Sequence, residues 1–212
     1  MVYLVPGIGA DYRVFETLVL SGFETQIIVW EHPNKREPIS DYTKRLLPQM
    51  KVKPTAIVGL SFGGVIAAEL TKHFPEAKLI LLSSIASGKE APPWARFGAW
   101  IRMNRIFSGA FMKKPNPVIR WFFSIPPGHD RQVFDAILRD SDPDFLPWAL
   151  DELLHWQGSG THRAHHIHGD RDRLLPMKFT SADICVKGGG HLMVLSHGNK
   201  ISEILTGILK EP

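Results

Sequence analysis

Six short, almost continuously apolar runs alternate with segments of helical pattern along this chain of 212 residues. The apolar runs cover residues 2–6, 25–30, 55–60, 77–83, 164–169 and 182–187, and the helical patterns lie at about 11–20, 40–51, 62–73 and 192–209. Strands without polar alternation are typical of a parallel sheet that helices cover on both faces. The alternation therefore predicts an α/β fold with a mostly parallel sheet of about six strands.

Residues 86–160 interrupt this alternation. The segment is rich in Trp, Phe, Pro and Arg, and it predicts several short helices and no strand. We interpret it as a helical cap inserted into one core that residues 1–85 and 161–212 form together. Aromatic side chains in such a cap indicate an apolar substrate pocket. The candidates for this pocket are Trp94, Phe97, Trp121 and Phe122.

Composition limits the kinds of protein that this chain can be. Hydrophobic residues make up 44% and charged residues 22%, as in globular proteins, and a net charge of +4 is too small to predict nucleic-acid binding. Basic residues without acidic ones between 91 and 129 leave contact with an anionic membrane surface as an alternative that we do not favour. A single cysteine, Cys185, and no recognisable signal peptide predict a cytoplasmic protein, with the thiol buried in a strand.

The sequence GLSFGG, residues 59–64, follows the apolar run 55–60 and precedes a helical pattern. A serine between glycines at such a strand-to-helix turn is typical of a nucleophile elbow. Side chains at Gly59 and Gly63 would collide with the neighbouring backbone, and the turn directs the serine hydroxyl out of the sheet. Ser61 is therefore the candidate nucleophile, and an ordinary glycine-bearing turn is the alternative.

A serine hydroxyl needs a base to take its proton, and the base needs a carboxylate to orient it. His191 follows three glycines after the last apolar run, in KGGGHLMVL, and is the candidate base. The loop HGDRDRLLP offers two carboxylates, Asp170 and Asp172. The histidines at 165, 166 and 168 form a possible metal site, which we do not favour because no cysteine or acidic ligand pattern accompanies them.

These three motifs, GLSFGG, HGDRDRLLP and GGGH, resemble the α/β-hydrolase superfamily in their order and context. The resemblance covers residues 1–85 and 161–212. It implies a catalytic triad of Ser61, His191 and an aspartate, and the family pattern G-x-x-D-x-x-x-P favours Asp172 over Asp170. It also implies an oxyanion hole formed by the backbone N–H groups of Ile8 and Phe62, and it requires no cofactor and no metal.

The activity that this resemblance implies is that of a serine hydrolase acting on a small, apolar ester or related acyl compound. Thioesterase, lipase, haloperoxidase-like and C–C hydrolase activities are also compatible with a serine nucleophile. The alternative from another class is a catalytically silent protein that binds a small apolar ligand in the same pocket.

Overall fold

A six-stranded parallel sheet forms the centre of the computed structural model, which describes residues 1–93, 113–158, 160 and 163–211. The strands run in the order β2-β1-β3-β4-β5-β6, and every pair of neighbours is parallel. They are β1 (Val2–Val5), β2 (Thr25–Ile27), β3 (Ala56–Leu60), β4 (Lys78–Leu82), β5 (Ala164–Gly169) and β6 (Ile184–Val186). The predicted α/β fold and all six strands are confirmed.

Seven α-helices lie in the described part of the chain. They are α1 (Ile39–Leu46), α2 (Phe62–Thr71), α3 (Pro117–Phe122), α4 (His129–Asp140), α5 (Phe145–His155), α6 (Met193–Ser196) and α7 (Gly198–Lys210). The single helix predicted over 192–209 is thus two helices, divided at His197. None of the helices among the described residues is both long and apolar enough to cross a bilayer.

Alternating residues of each strand feed two separate hydrophobic cores, one on each face of the sheet. In β1, Val2 and Leu4 join the core that α6 and α7 cover, whereas Tyr3 and Val5 join the core that α1 and α2 cover. This follows from the period of two along a strand. Both faces are buried, which explains the continuous apolar runs and leaves the ends of the strands as the place for polar chemistry.

The helices α3, α4 and α5 belong to the chain segment between β4 and β5. Phe145 and Ala149 of α5 are fully buried in the core beside α1 and α2. Just beyond α5, the indole N–H of Trp156 donates to the buried carboxylate of Glu69 in α2 at 2.8 Å. The segment therefore packs directly on the sheet layer.

Two predictions about local structure are wrong. The helix predicted over residues 11–20 is a single 3₁₀ turn, Tyr12–Phe15. The residues after this turn make hydrogen bonds to distant parts of the chain instead of helical ones. The Thr17 hydroxyl donates to the carbonyl of Val194, and the Val19 N–H donates to the Ser202 hydroxyl.

The second wrong prediction concerns Cys185, which is exposed and not buried. It lies in β6, which is the edge strand of the sheet.

Candidate active site

Ser61 occupies the sharp turn between the end of β3 and the start of α2. Its backbone has φ 52° and ψ −123°, a conformation that side-chain-bearing residues rarely adopt. The chain is crowded here: a Cβ on Gly59 would lie 2.3 Å from the carbonyl oxygen of Gly63, and a Cβ on Gly63 would lie 2.2 Å from that of Pro6. Both glycines are therefore required for the turn that presents Ser61.

His191 and Asp172 approach Ser61 from two loops that follow β6 and β5. The Ser61 Oγ lies 2.9 Å from Nε2 of His191, and Nδ1 of His191 lies 2.8 Å from Oδ2 of Asp172. The side chains of His191 and Asp172 are completely buried. Because a carboxylate only accepts hydrogen bonds, Nδ1 carries the proton and Nε2 is free to accept one from the serine.

Glycines allow the loop that carries His191 to lie against the end of β5. A Cβ on Gly169 would lie 2.2 Å from the carbonyl oxygen of Gly189, and a Cβ on Gly190 would lie 2.6 Å from the Cβ of Ser124. The three-glycine run before His191 thus permits two close backbone approaches, one to β5 and one to the turn after α3.

The carboxylate of Asp172 accepts hydrogen bonds at both oxygens. Oδ1 accepts the backbone N–H groups of Leu174 (2.9 Å) and Leu175 (2.8 Å), and Oδ2 accepts N–H groups from the rings of His191 and His168. Burial alone would raise the pKa of Asp172, but the electrostatic interaction with His191 and these hydrogen bonds outweigh it and hold the pKa well below its usual range. Asp172 is therefore ionised at neutral pH.

Asp170, the other carboxylate on this loop, is exposed and does something different. Its Oδ1 accepts the backbone N–H of Gly188, at the start of the three-glycine run. The structure therefore brings Asp172, and not Asp170, to His191.

Hydrogen bonds fix two peptide groups at Ser61, the one between Gly7 and Ile8 and the one between Ser61 and Phe62. The Gly7 oxygen accepts the N–H of Ala10 (3.0 Å) and the indole N–H of Trp30 (3.2 Å). The Ser61 oxygen accepts the N–H of Gly64 (2.8 Å) and the hydroxyl of Ser84 (2.7 Å). Because the C=O and N–H of a trans peptide point in opposite directions, these bonds also fix the directions of the next two amides. Those amides are the N–H groups of Ile8 and Phe62.

A cavity of about 420 Å³ opens above Ser61 and His191, and Gly7 and Ile8 also border it. Its other walls are apolar and come from the early 3₁₀ turn, from α3, α4 and α5, and from the loops that carry His191 and Asp172. They include Val14, Phe134, Ile137, Leu146, Leu150 and Leu192. A cavity of this size suits a small ligand with an apolar part.

The four aromatic residues predicted to line the pocket have different outcomes. Phe122 lines the cavity. Trp121 is not among the described residues that line it. The residue is 56% exposed, and its ring lies under the guanidinium of Arg173, 4.9 Å from the ring centre. Trp94 and Phe97 lie outside the described residues. The described residues that line the cavity also include Phe123, which the sequence did not single out and whose ring meets that of His191 edge to face at 5.2 Å between centres.

Among the described residues, one group of side chains has ligand atoms close enough together to hold a metal ion. His32, Asp142 and Asp144 form this group at the surface. Nδ1 of His32 lies 2.7 Å from Asp142, whose other oxygen accepts the N–H of Asp144. These contacts account for the cluster as a link between the loop after β2 and the turn between α4 and α5. His166 and His168, part of the alternative metal site in the sequence, instead lie in a row behind Asp172.

The chain is similar in sequence and fold to known hydrolases. The model of the alpha/beta hydrolase family matches residues 2–203. The chain is 19% identical over 204 residues to a poly(3-hydroxyalkanoate) depolymerase of Ectopseudomonas oleovorans, with 85% of this chain and 69% of that protein covered. An esterase from Exiguobacterium antarcticum and a bromoperoxidase from Bacillus anthracis each superpose with a TM-score of 0.73 at 16% identity, over 99% of this chain and 91% of theirs. At such identities the structural likeness shows the fold.

Proposed function

Because this chain belongs to the alpha/beta hydrolase family, we propose that it is a serine hydrolase that cleaves esters or related acyl compounds through an acyl-enzyme. One observation carries the proposal: the hydrogen-bonded row from Ser61 Oγ through both ring nitrogens of His191 to Asp172, at 2.9 and 2.8 Å. The row has the order and tautomer that nucleophilic catalysis by serine requires.

In the proposed reaction, Ser61 Oγ attacks the acyl carbon while Nε2 of His191 takes its proton. Asp172 holds the imidazole by Nδ1–H and stabilises the imidazolium that forms. The N–H groups of Ile8 and Phe62 are the proposed donors to the oxyanion, since both peptides are fixed beside Ser61. His191 then protonates the leaving alcohol. A water molecule, activated by the same nitrogen, releases the acid and restores the serine.

The apolar cavity supports an apolar acyl or alcohol group in the substrate. Its border with Ser61 and His191 places such a group next to the reacting atoms. Two of the similar proteins are named as enzymes that act on esters, a poly(3-hydroxyalkanoate) depolymerase and an esterase, which agrees with this class of bond. A small apolar ester is therefore the proposed substrate. We do not propose binding to nucleic acid or to a membrane surface.

Two further parts of the hypothesis stay predictions. The first is the division into a core of residues 1–85 and 161–212 and a cap of residues 86–160. The second is a cytoplasmic location, for which the single cysteine is the supporting observation.

The test is covalent labelling with a fluorophosphonate probe, together with turnover of p-nitrophenyl butanoate. We expect stoichiometric labelling, located at Ser61 by peptide mapping, and no labelling of Ser61→Ala. A folded wild-type protein that neither reacts with the probe nor turns over the ester would instead be the silent ligand-binding protein. In that case binding of p-nitrophenol esters without hydrolysis would be the measurable property.

A further inference from the structure

Two buried histidines of β5 lie in a row behind Asp172. Nε2 of His168 lies 3.1 Å from Oδ2 of Asp172 and 2.6 Å from the carbonyl oxygen of Leu175. On the other side, Nδ1 of His168 lies 3.3 Å from Nε2 of His166, which lies 3.0 Å from the carbonyl oxygen of Ser84. Both histidines are almost completely buried. The reaction proposed above uses neither of them.

The partners fix the proton positions on both rings. Nε2 of His168 faces a carboxylate and a carbonyl, which only accept, so this nitrogen carries a proton that it shares between them. Nε2 of His166 faces the carbonyl of Ser84 and therefore also carries a proton. It can donate to Nδ1 of His168, which is the free acceptor of a neutral ring. The row is complete only when both rings are neutral and protonated at Nε2.

The surroundings of His166 keep it neutral. Burial lowers the pKa of His166. Its Nδ1 is buried and has no hydrogen-bond partner among the described residues, as expected for the unprotonated nitrogen of a neutral ring. His166 is therefore suited to hold one tautomer of His168.

The N–H of His168 acts on the turn that carries the triad carboxylate. It reaches Oδ2 of Asp172 directly, and it also reaches the carbonyl of Leu175, whose own N–H donates to Oδ1. One ring thus holds the carboxylate and the end of the turn that supports it. Ser84 connects this row of histidines to the backbone of Ser61. Its carbonyl oxygen accepts from His166, and its hydroxyl donates to the carbonyl oxygen of Ser61.

We propose that His168 is a positioning residue that holds the carboxylate of Asp172 in line with Nδ1 of His191, and that His166 fixes the tautomer in which it does so. The proposal rests on the proposed function for its catalytic consequence. A histidine that only filled space would leave the Asp172–His191 hydrogen bond unchanged when it is replaced. A positioning histidine would not.

Two amide variants form a matched test. In His168→Gln the amide N–H can occupy the place of Nε2, whereas in His168→Asn the shorter side chain reaches only the place of Nδ1. We expect the glutamine variant to keep most of the kcat for p-nitrophenyl butanoate. We expect the asparagine variant to lose about 10- to 100-fold in kcat at nearly unchanged KM, by analogy with partners that orient metal-bound histidines.

A spectroscopic measurement separates positioning from stability. The Nδ1–H proton of His191, hydrogen-bonded to Asp172, should give a downfield NMR resonance in the wild type and in His168→Gln, and a shifted or lost resonance in His168→Asn. Thermal melts identify which variants are folded. Folded asparagine and glutamine variants with equal kcat and equal resonances would overturn the proposal.

Two controls keep the outcomes distinct. Labelling of the wild type with ¹⁵N-histidine needs no variant: a proton on Nδ1 and not on Nε2 of His168 would overturn the proposed row even if no variant folds. Failure of the proposed function would show as a wild type without fluorophosphonate labelling or ester turnover. The His191 resonance needs no turnover and would still decide the role of His168.

Discussion

Asp170 Oδ1 accepts the backbone N–H of Gly188 at 2.6 Å, so an exposed carboxylate holds the start of the loop that carries His191. Two residues later, the buried carboxylate of Asp172 contacts the ring of His191 itself. The two aspartates of one loop thus have separable functions. One ties two loops together, and the other faces the imidazole.

The first prediction uses these two residues as a matched pair. Asp172→Asn should lower kcat by about ten-thousand-fold, because an amide favours the wrong tautomer of the histidine. Asp170→Asn should keep both its activity and its stability, because the amide oxygen can still accept the backbone N–H of Gly188. Ester turnover and thermal melts of the two variants check this. Loss of activity in Asp170→Asn alone would reverse the assignment.

The second prediction concerns the backbone strain at Ser61, with φ 52° and ψ −123°. Ser61→Ala and Ser61→Gly should both lose turnover on the order of a million-fold. They should differ in stability, because glycine adopts this conformation without the strain of a Cβ and alanine does not. The relief of strain stabilises the glycine variant, and the larger loss of chain entropy on folding offsets part of this gain. We expect the glycine variant to be more stable than the alanine variant by about 1 kcal/mol. Denaturant titration measures the difference, and equal midpoints would show that the turn is unstrained.

The third prediction concerns the indole of Trp30, which fixes the peptide that presents the N–H of Ile8. Trp30→Phe keeps an aromatic ring at the position that now lies 5.1 Å from Phe145 between centres, and it removes the hydrogen bond to Gly7 together with part of the indole. We expect kcat to fall by about tenfold with little change in KM, less than the 100- to 1,000-fold cost of deleting an oxyanion donor.

The control for this variant lies in the same aromatic cluster. Trp148→Phe also removes an indole hydrogen bond, to the carbonyl of Glu37 at 2.8 Å, but that peptide is not beside Ser61. Its kcat should stay close to that of the wild type. Equal losses in the two variants would attribute the effect to packing and not to the oxyanion hole.

The fourth prediction follows from the lowered pKa of His166. The unfolded chain takes up a proton at this residue below about pH 6.5, whereas the folded chain resists it, so the free energy of unfolding should fall as the pH drops below 6.5. One such proton contributes at most about 1.4 kcal/mol for each step of one pH unit. Melting temperatures between pH 7.5 and 5 measure this slope.

Glutamine variants isolate the contribution of His166. His166→Gln can still donate to the carbonyl of Ser84 and does not titrate, so its melting temperature should depend less on pH than that of the wild type. His73→Gln replaces an exposed histidine and should keep the wild-type slope. A slope that is the same in all three proteins would mean that His166 is protonated equally in the folded and unfolded states.

The sequence located the residues whose positions depend on local crowding. Gly59 and Gly63 mark the turn of Ser61, because close backbone approaches leave glycine as the residue that fits. The choice of Asp172 over Asp170 came instead from the resemblance to the α/β-hydrolase superfamily, whose pattern G-x-x-D-x-x-x-P matches Gly169, Asp172 and Pro176. The place of His168 was not predictable in the same way. Its contact with Asp172 depends on how the loop after β5 folds back on the strand, which no local pattern encodes.

Longer-range packing explains the other differences. The predicted helix does not extend over residues 17–19, because Thr17 and Val19 form hydrogen bonds with Val194 and Ser202, far along the chain. Trp121 and Phe122 are neighbours on a six-residue helix, yet only Phe122 faces the cavity. The side of a short helix that packs inward depends on its partners, and the sequence of the helix alone does not identify them.

The fifth prediction tests whether the cavity selects the substrate by the length of its acyl chain. Leu138 of α4 is half-buried and lines the cavity, so Leu138→Trp should fill part of it. Each buried methylene contributes about 0.8 kcal/mol, or roughly fourfold in kcat/KM. The kcat/KM for p-nitrophenyl octanoate should therefore fall at least tenfold relative to that for the acetate, with fluorophosphonate labelling of Ser61 retained. Gln132→Trp adds the same ring to an exposed position of α4 and should leave the ratio unchanged. If both variants keep the wild-type ratio, the acyl chain lies outside this cavity, and the cavity would hold the leaving alcohol instead.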